Sequence, residues 1–362
     1  MFNKLAVTIF GIAFLTLISC SKETAVQKRE FIKNNSKDMV LLAGGDLICA
    51  SYVENAIKKY GPEHPFKEVK EHIEKADISF ANLECVISDK GGRRSKKINY
   101  GSSLASLDSI VYSGIDVFSI ANNHVYDMGR RGLLRFNELL DRSPVYYGGA
   151  GRNKKKAGSP VTVQVNGLKV SFLFYDMTSY RFCAKEKNAG YNCLGHKEIK
   201  TSIKQLEKDI ETIKNSDIKI MSVHWGPNYT NLTSEDQIKL AHFAIDNGID
   251  VVLGHSAHIF HGIEIYKNRP VIYDMGDLLI NDVDGWDSKS FLYYVHIVQG
   301  KVKFLELVPI YMPNSQIRIA EGALSDEIVA RMLELSGKFN TQAAFSNNRI
   351  IINVDSSTGK NE

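Results

Sequence analysis

Five apolar stretches of this chain each stop at residues of the kind that ligate divalent metals, and this recurrence constrains the fold more than any other feature. Val40-Leu41-Leu42-Ala43-Gly44-Gly45 delivers Asp46, and Ile78-Ser79-Phe80-Ala81 delivers Asn82 and Glu84. Ile115 to Ala121 delivers Asn122, Asn123, His124 and Asp127. Ile218 to Val223 delivers His224, and Ile249 to Gly254 delivers His255 and His258. Short β-branched and aromatic runs of this kind read as buried strands. In open α/β sheets, ligands sit in the crevice beyond the carboxyl ends of the strands. A single strand ending in Asn or Asp is ordinary, because both residues favour turns through local hydrogen bonds. Five endings rich in Asp, Glu, Asn and His are the oxygen and nitrogen set that divalent transition metals prefer. Their number suits a two-metal site with a shared carboxylate.

Between these runs the periodicity changes to that of helices. Phe66, Val69 and Ile73 predict a helix within His64 to Lys75, and Leu104, Leu107, Ile110 and Val111 predict another, closed by Gly114. Leu133, Phe136 and Leu140 mark a third, and Ile199, Ile203, Leu206, Ile210 and Ile213 a fourth. Thr233-Ser234-Glu235-Asp236 opens a fifth, closed by Gly248. Asn166-Gly167 joins Val161–Val165 to Leu168–Tyr175 as a tight hairpin. Two more hairpins are expected across Lys267-Asn268-Arg269 and at Gln299-Gly300. The alternation predicts a mixed α/β fold with two packed sheets and helices outside.

Composition excludes several classes. The chain is 44% hydrophobic and 24% charged, as in ordinary globular proteins. A net charge of +4 is too small to argue for nucleic acid, and no nucleic-acid partner is expected. Arg93-Arg94-Ser95-Lys96-Lys97 and Lys154-Lys155-Lys156 read as solvated loops, whereas Arg130-Arg131 follow the third strand end, where they would face an anionic substrate. Residues 88–101 read as an exposed loop near the site mouth.

Lys4 precedes an apolar run from Leu5 to Ile18 that is too short to span a membrane permanently. It ends in Leu17-Ile18-Ser19-Cys20, which resembles a bacterial lipobox with Ser in place of the more usual Gly or Ala. Residues 1–19 are therefore expected to be a lipoprotein signal peptide and Cys20 the lipidated residue. Acyl chains there would tether the chain to a membrane outside the cytoplasm. Residues 20–38 read as a flexible tether, 39–314 as the domain and 315–362 as a C-terminal extension. Cys183 and Cys193 flank a short loop and suit a local disulfide. The sequence leaves open whether Cys49 and Cys85 pair, stay free or line the pocket.

Taken in order, Gly45-Asp46, Asn82-Leu83-Glu84, Ala121-Asn122-Asn123-His124 with Asp127 and Gly129, His224-Trp225-Gly226 and Gly254-His255-Ser256-Ala257-His258 resemble the CapA family of capsule or poly-γ-glutamate biosynthesis proteins. That family is in turn similar to calcineurin-like metallophosphoesterases. The resemblance implies a four-layer α-β-β-α sandwich and two divalent ions, with Mn, Fe and Zn as the candidates. It implies that Asp46, Glu84 and His258 hold one ion, and that Glu84, Asn123, His224 and His255 hold the other. It implies His124 as general acid, oriented by Asp127, and Asn82, Asn122, Arg130 and Arg131 as substrate contacts.

The chain departs from the phosphoesterase pattern in three places. Leu47-Ile48-Cys49 after Asp46 lacks the histidine of Asp-x-His, the bridging acid is Glu84, and two residues separate His255 from His258. Asn228, Asp274 and Asp277 depart from the family's usual residues. The expected function is making, exporting or anchoring an envelope polyanion, with metal-assisted hydrolysis of a phosphoester or amide. Its expected partners are a membrane, the anionic polymer or phosphoester, and capsule synthase or export membrane proteins. The rivals are a non-catalytic polymer-binding component and a surface nucleotidase.

Overall fold

A computed structural model describes residues 28–31, 35–195, 198–280 and 284–355. The expected signal peptide and Cys20 lie outside the described residues. Among those described, no helix is long and apolar enough to cross a membrane.

The larger of two mixed sheets runs Ala344–Ser346, Arg349–Asn353, Lys301–Tyr311, Lys289–Val298, Met39–Leu47, Ile78–Leu83, Val117–Ser119 and Tyr146–Gly148. The smaller runs Ile263–Tyr266, Arg269–Ile272, Val251–His255, Ile218–His224, Leu168–Asp176 and Val161–Val165. Successive side chains of a strand point to opposite faces, and here both faces are buried. Leu41, Ala43, Phe80 and Val117 of the larger sheet share one core with Val170, Phe172, Ile220 and Leu253 of the smaller. The intervening Leu42, Ala81 and Phe118 pack instead with Val53, Ile57, Ile110 and Phe136 of flanking helices. On the smaller sheet, Leu173, Met221 and Val252 pack with Leu206, Ile210, Leu240 and Ala244. Burial on both faces explains why these strands read as continuous apolar runs.

All three expected hairpins form, with Asn166, Lys267, Asn268 and Gln299 at positive φ in their turns. Helix Glu235–Asp246 begins with a capping box between Ser234 and Gln237. Two helical expectations need correction. Within His64 to Lys75 only Lys70–Glu74 is helical, and residues 62–69 form a series of turns. Pro65 offers no N–H and disfavours helical backbone before it. Helix Ala105–Ser113 ends at Gly114 as expected, but Leu104 and Val111 are exposed. Its buried face carries Ser106, Ser109, Ile110 and Ser113. The serines are accommodated because Ser106 donates to the Cys49 carbonyl and Ser109 to the Pro62 carbonyl, both at 2.7 Å. Helix Ser51–Tyr60 has only Val53 and Ile57 as buried apolar residues, and no expectation covered it.

The segment from 315 onward is built into the domain. Helix Gly322–Gly337 sends Ile328, Val329, Met332 and Leu335 into the core between the sheets, and Arg349–Asn353 pairs with Lys301–Tyr311. Near the other end, Phe31 is buried and Arg29 contacts both Asp116 carboxylate oxygens at 3.0 Å. Cys183 and Cys193 form a disulfide, while Cys49 and Cys85 are free and buried.

A buried carboxylate and histidine centre

The parallel strands of both sheets end at the same place. In the larger sheet Asp46 lies in register with Asn82 on one side and Asp277 on the other. In the smaller, His224 is in register with His255 and Asp176. Two glycines permit this convergence. A Cβ at Gly45 would lie 1.9 Å from the Gly276 carbonyl oxygen, and one at Gly254 would lie 1.9 Å from that of Tyr273. Gly254→Ala therefore forces apart the strand end carrying His255 and the segment carrying Asp274. It is expected to cost about 1–3 kcal/mol, read as a lowered urea midpoint with unchanged slope.

Asp46, Glu84, Asp274 and Asp277 are all buried, and so are His224, His255 and His258. One ligand atom each from Asp46, Glu84 and His258 lie within 4.8 Å of one another. His258 Nδ1 is 3.8 Å from Asp46 Oδ2, 3.9 Å from Glu84 Oε2 and 2.9 Å from Asp277 Oδ1. His224 Nε2 is 3.5 Å from Glu84 Oε1 and 3.2 Å from Asn123 Oδ1, so Glu84 stands between two groups of candidate ligands. His255 Nδ1 lies 3.8 Å from Asp46 Oδ1, and its Nε2 is 3.1 Å from Ser222 Oγ. The loop after His255 is held by Ser256 N–H donating to Asp46 and Ala257 N–H donating to Asp274. These bonds keep His258 at φ 61°, a left-handed conformation that costs a non-glycine residue roughly 1–2 kcal/mol.

The electrostatics mark the centre as incomplete on its own. Burial pushes Glu84 well above the usual carboxylate range, and the nearby Asp46 adds to the shift. Burial also raises Asp46, Asp274 and Asp277, the last to about 7. Burial alone would lower His258, but Asp277 and Glu84 outweigh it and hold the ring well above its ordinary range. Burial lowers His224 and takes His255 down to about 3, leaving both rings neutral, as a metal ligand must be. At the centre, Glu84 Oε2, His255 Nδ1 and Asp277 Oδ2 are buried without a hydrogen-bond partner. Unpaired buried acceptors are costly, and oxygen and imidazole nitrogen are donors that a divalent ion accepts. The residues fit such an ion.

His124 sits at the rim. Its Nδ1 is 2.6 Å from Asp127 Oδ2 and its Nε2 is 3.8 Å from Glu84 Oε1. Asp127 also accepts from Tyr100 N–H at 2.9 Å and from Lys96 Nζ at 3.0 Å. Burial disfavours the Asp127 charge, but the bonds from His124 and Tyr100 and the Lys96 ammonium hold its carboxyl below its ordinary value. Burial lowers His124 despite Asp127.

Asn82 and Asn122, expected as substrate contacts, are fully buried. The Asn82 amide donates to Asp46 at 2.6 Å and lies 3.1 Å from His224 Nδ1. Asn122 accepts from the His124 and Val125 N–H groups and donates to the Leu83 carbonyl. Arg130 and Arg131 are exposed at the start of helix Gly129–Asp141. The basic residues bordering Asn123 and Asp127 are Arg94, Lys96 and Arg181. Sequence reasoning assigned no role to Lys96, whose place depends on loop packing. It marked Asp274 and Asp277 only as exchanged carboxylates near the site, although Pro270-Val271-Ile272-Tyr273 delivers them as the other five runs deliver their polar residues.

Asp176, beside His224 in the sheet, accepts from Thr178 Oγ1 and Ser179 N–H. Burial nevertheless pushes its carboxyl up to about 7. An unfolded aspartate titrates at about 4, so between these values the folded state holds an extra proton. The stability this proton contributes is complete below the unfolded value and is lost as pH rises towards 7. Asp176→Asn is expected to gain on the wild type by about 2 kcal/mol between pH 5 and pH 7. Urea midpoints at the two pH values measure the difference.

Strand ends from two stacked sheets converging on buried acids and imidazoles define an α/β protein with a candidate divalent-metal centre. The family model described as "Bacterial capsule synthesis protein PGA_cap" matches residues 40–282, and the chain belongs to that family. The capsule biosynthesis protein CapA of Bacillus anthracis is 26% identical over 323 residues, covering 86% of this chain and 77% of that protein. The PGA biosynthesis protein CapA of Bacillus subtilis strain 168 is 24% identical, with coverages of 82% and 77%. A probable polyglutamine synthesis accessory protein of Mycobacterium tuberculosis is 26% identical, covering 69% of each chain. A hypothetical protein from Thermus thermophilus, known from its crystal structure, aligns with a TM-score of 0.46 at 15% identity, over 76% of this chain and all of that one.

Proposed function

We propose that this family member is an exported, lipid-anchored hydrolase that acts on poly-γ-glutamate or a similar envelope polyanion. On this reading the three cores between sheets and helices form a four-layer α-β-β-α sandwich of the metallophosphoesterase type. One observation carries the chemistry: four buried carboxylates surround His258 with Glu84 Oε2 and Asp277 Oδ2 unpartnered. Ionising these carboxyl groups in a buried site requires a cation beside them. Asp46, Glu84 and His258 would hold one ion, with Asp277, 2.9 Å from the same His258 nitrogen, as a further oxygen donor beside it. Glu84, Asn123 and His224 would hold a second. His255 stands on the Asp46 side of the centre, so it supports that carboxylate's position as well as any ion between them.

A divalent ion supplies Lewis-acid charge and favours ionisation of a water near neutral pH. The remaining steps fall to the chain's own side chains. Asp127 fixes the His124 tautomer by accepting the Nδ1 proton, which leaves Nε2 as the atom that exchanges a proton with the reacting group. The buried walls exclude bulk water and strengthen every charge interaction inside.

Export and anchoring rest on the Leu17-Ile18-Ser19-Cys20 motif, and the polymer on the similarity to the capsule and PGA biosynthesis proteins of the two Bacillus species. Capsule synthase or export membrane proteins are the proposed partners. The test is metal content by plasma mass spectrometry on full-length protein prepared without chelator, together with cleavage of poly-γ-glutamate and of a phosphodiester probe. About two equivalents of Mn, Fe or Zn with turnover of either substrate supports the hydrolase. Metal without turnover, but with polymer retained, moves the reading to a binding component. No metal after reconstitution ends the hydrolytic mechanism.

A further inference from the structure

A cavity of about 170 Å³ opens beside the centre, bounded by the loop carrying Arg94 and Lys96 and by the loop carrying Ser179 and Arg181. Asn123 and Asp127 form its inner wall. Three cationic side chains face a single carboxylate, and that carboxylate is already engaged by His124, Lys96 and the Tyr100 N–H. Among the described residues, no carboxylate pairs with the guanidinium of Arg94 or of Arg181. The Arg94 guanidinium lies 4.0 Å from the centre of the Phe182 ring and that of Arg181 5.4 Å from it.

The cavity's walls are fixed from both sides. Phe182 stacks on Tyr126 with centroids 4.4 Å apart and planes 5° from parallel. The Cys183–Cys193 disulfide closes the loop behind Phe182. On the opposite wall, Arg94 N–H donates to the Asp127 carbonyl at 2.9 Å, and Asn99 donates to the Arg94 carbonyl at 3.1 Å. Planar guanidiniums on an anchored wall, with their donors unspent on acids, match the fork of a carboxylate. Lys96 links this cavity to the rim histidine, because its Nζ contacts Asp127 Oδ1 at 3.0 Å and the Asn123 carbonyl at 3.1 Å.

We propose that this cavity is a subsite for a free carboxylate of the polymer residue adjoining the bond held at the centre. Arg94 and Arg181 grip the carboxylate and Lys96 senses it next to His124. This rests on the polyanion reading above and adds a determinant of specificity: a neutral polymer, or one with its acids spaced differently, lacks the anchor. A site of this kind also restrains the chain on one side of the reacting bond, lowering the entropy lost in reaching the transition state.

Calorimetry on the full-length protein tests it, using a γ-linked glutamate oligomer, glutarate as a bare dicarboxylate, and inorganic phosphate. In the Arg94→Gln/Arg181→Gln double variant, oligomer binding is expected to weaken at least about ten-fold, the loss typical of hydrogen bonds to charged groups. Metal content and melting temperature are expected to stay unchanged, and Arg94→Lys should fall between, since it keeps charge but not the fork. Equal oligomer binding by wild type and double variant overturns the proposal. If phosphate displaces the oligomer and its own binding falls equally in the double variant, the cavity is a phosphate site and the carboxylate assignment is overturned. If the wild type ignores the oligomer but retains metal, the polymer reading fails separately. Glutarate then decides the cavity: binding that the double variant loses upholds a carboxylate subsite, and no binding overturns it.

Discussion

Replacing Glu84 with glutamine is expected to stabilise this protein in chelator and to abolish most of its stabilisation by divalent cations. Glu84 is 1% exposed, its Oε2 has no partner, and burial together with Asp46 opposes its charge. In chelator the wild type bears that penalty, and removing an unpaired buried acceptor's charge at constant shape is expected to recover about 1–3 kcal/mol. The variant should then melt higher than the wild type. With cation present the order inverts, because a ligand at one hundred times its dissociation constant stabilises the folded state by about 2.7 kcal/mol. The variant, missing the acid that stands between both ligand groups, gains little. Thermal melts with chelator and with Mn, read beside metal content, measure both halves. Equal stabilisation of the two proteins by the cation would remove Glu84 from the ligand set.

The second large effect belongs to His124. Loss of a positioned proton-transfer group typically costs 10²–10⁴-fold in rate, and His124→Gln is expected to slow polymer cleavage by roughly that factor. Metal content should be untouched, because His124 Nε2 stands 3.8 Å from Glu84 and outside the Asp46, Glu84 and His258 group. Asp127→Asn is expected to slow turnover as well, since it replaces the acceptor that holds the Nδ1 proton with a group that can also donate. Rates under saturating substrate, with metal quantified on the same samples, distinguish this from loss of the centre. A His124→Gln protein with wild-type turnover would assign the proton transfer elsewhere, with Tyr229, its ring centroid 5.6 Å from that of His258, the next group to test.

The two effects separate two origins of the site. Asp46, His224 and His255 are delivered directly by strands, so their positions follow from local pattern. A doubly buried strand must be apolar along its length, and the first polar residue beyond it therefore lies at the sheet's edge. The hairpins were legible for a related reason: Asn166-Gly167 adopts the positive φ angles that its turn requires, whatever surrounds it.

Other parts of the molecule depend on contacts between segments far apart in sequence. The solvated-looking basic loop places Lys96 on Asp127 only because Arg94 and Asn99 bind the Asp127 backbone carbonyl. Asp277 meets His258 only because its strand pairs in register with Asp46. Helix Ala105–Ser113 turns its serines inward because the Cys49 and Pro62 carbonyls wait there as acceptors. The sequence by itself determined the strands, the turns and the order in which ligand-type residues arrive, since each depends on burial and backbone preference within a few residues. Only the tertiary structure decided which loops close over those residues, because charge pairing and hydrogen-bond satisfaction are set by neighbours that no local pattern encodes.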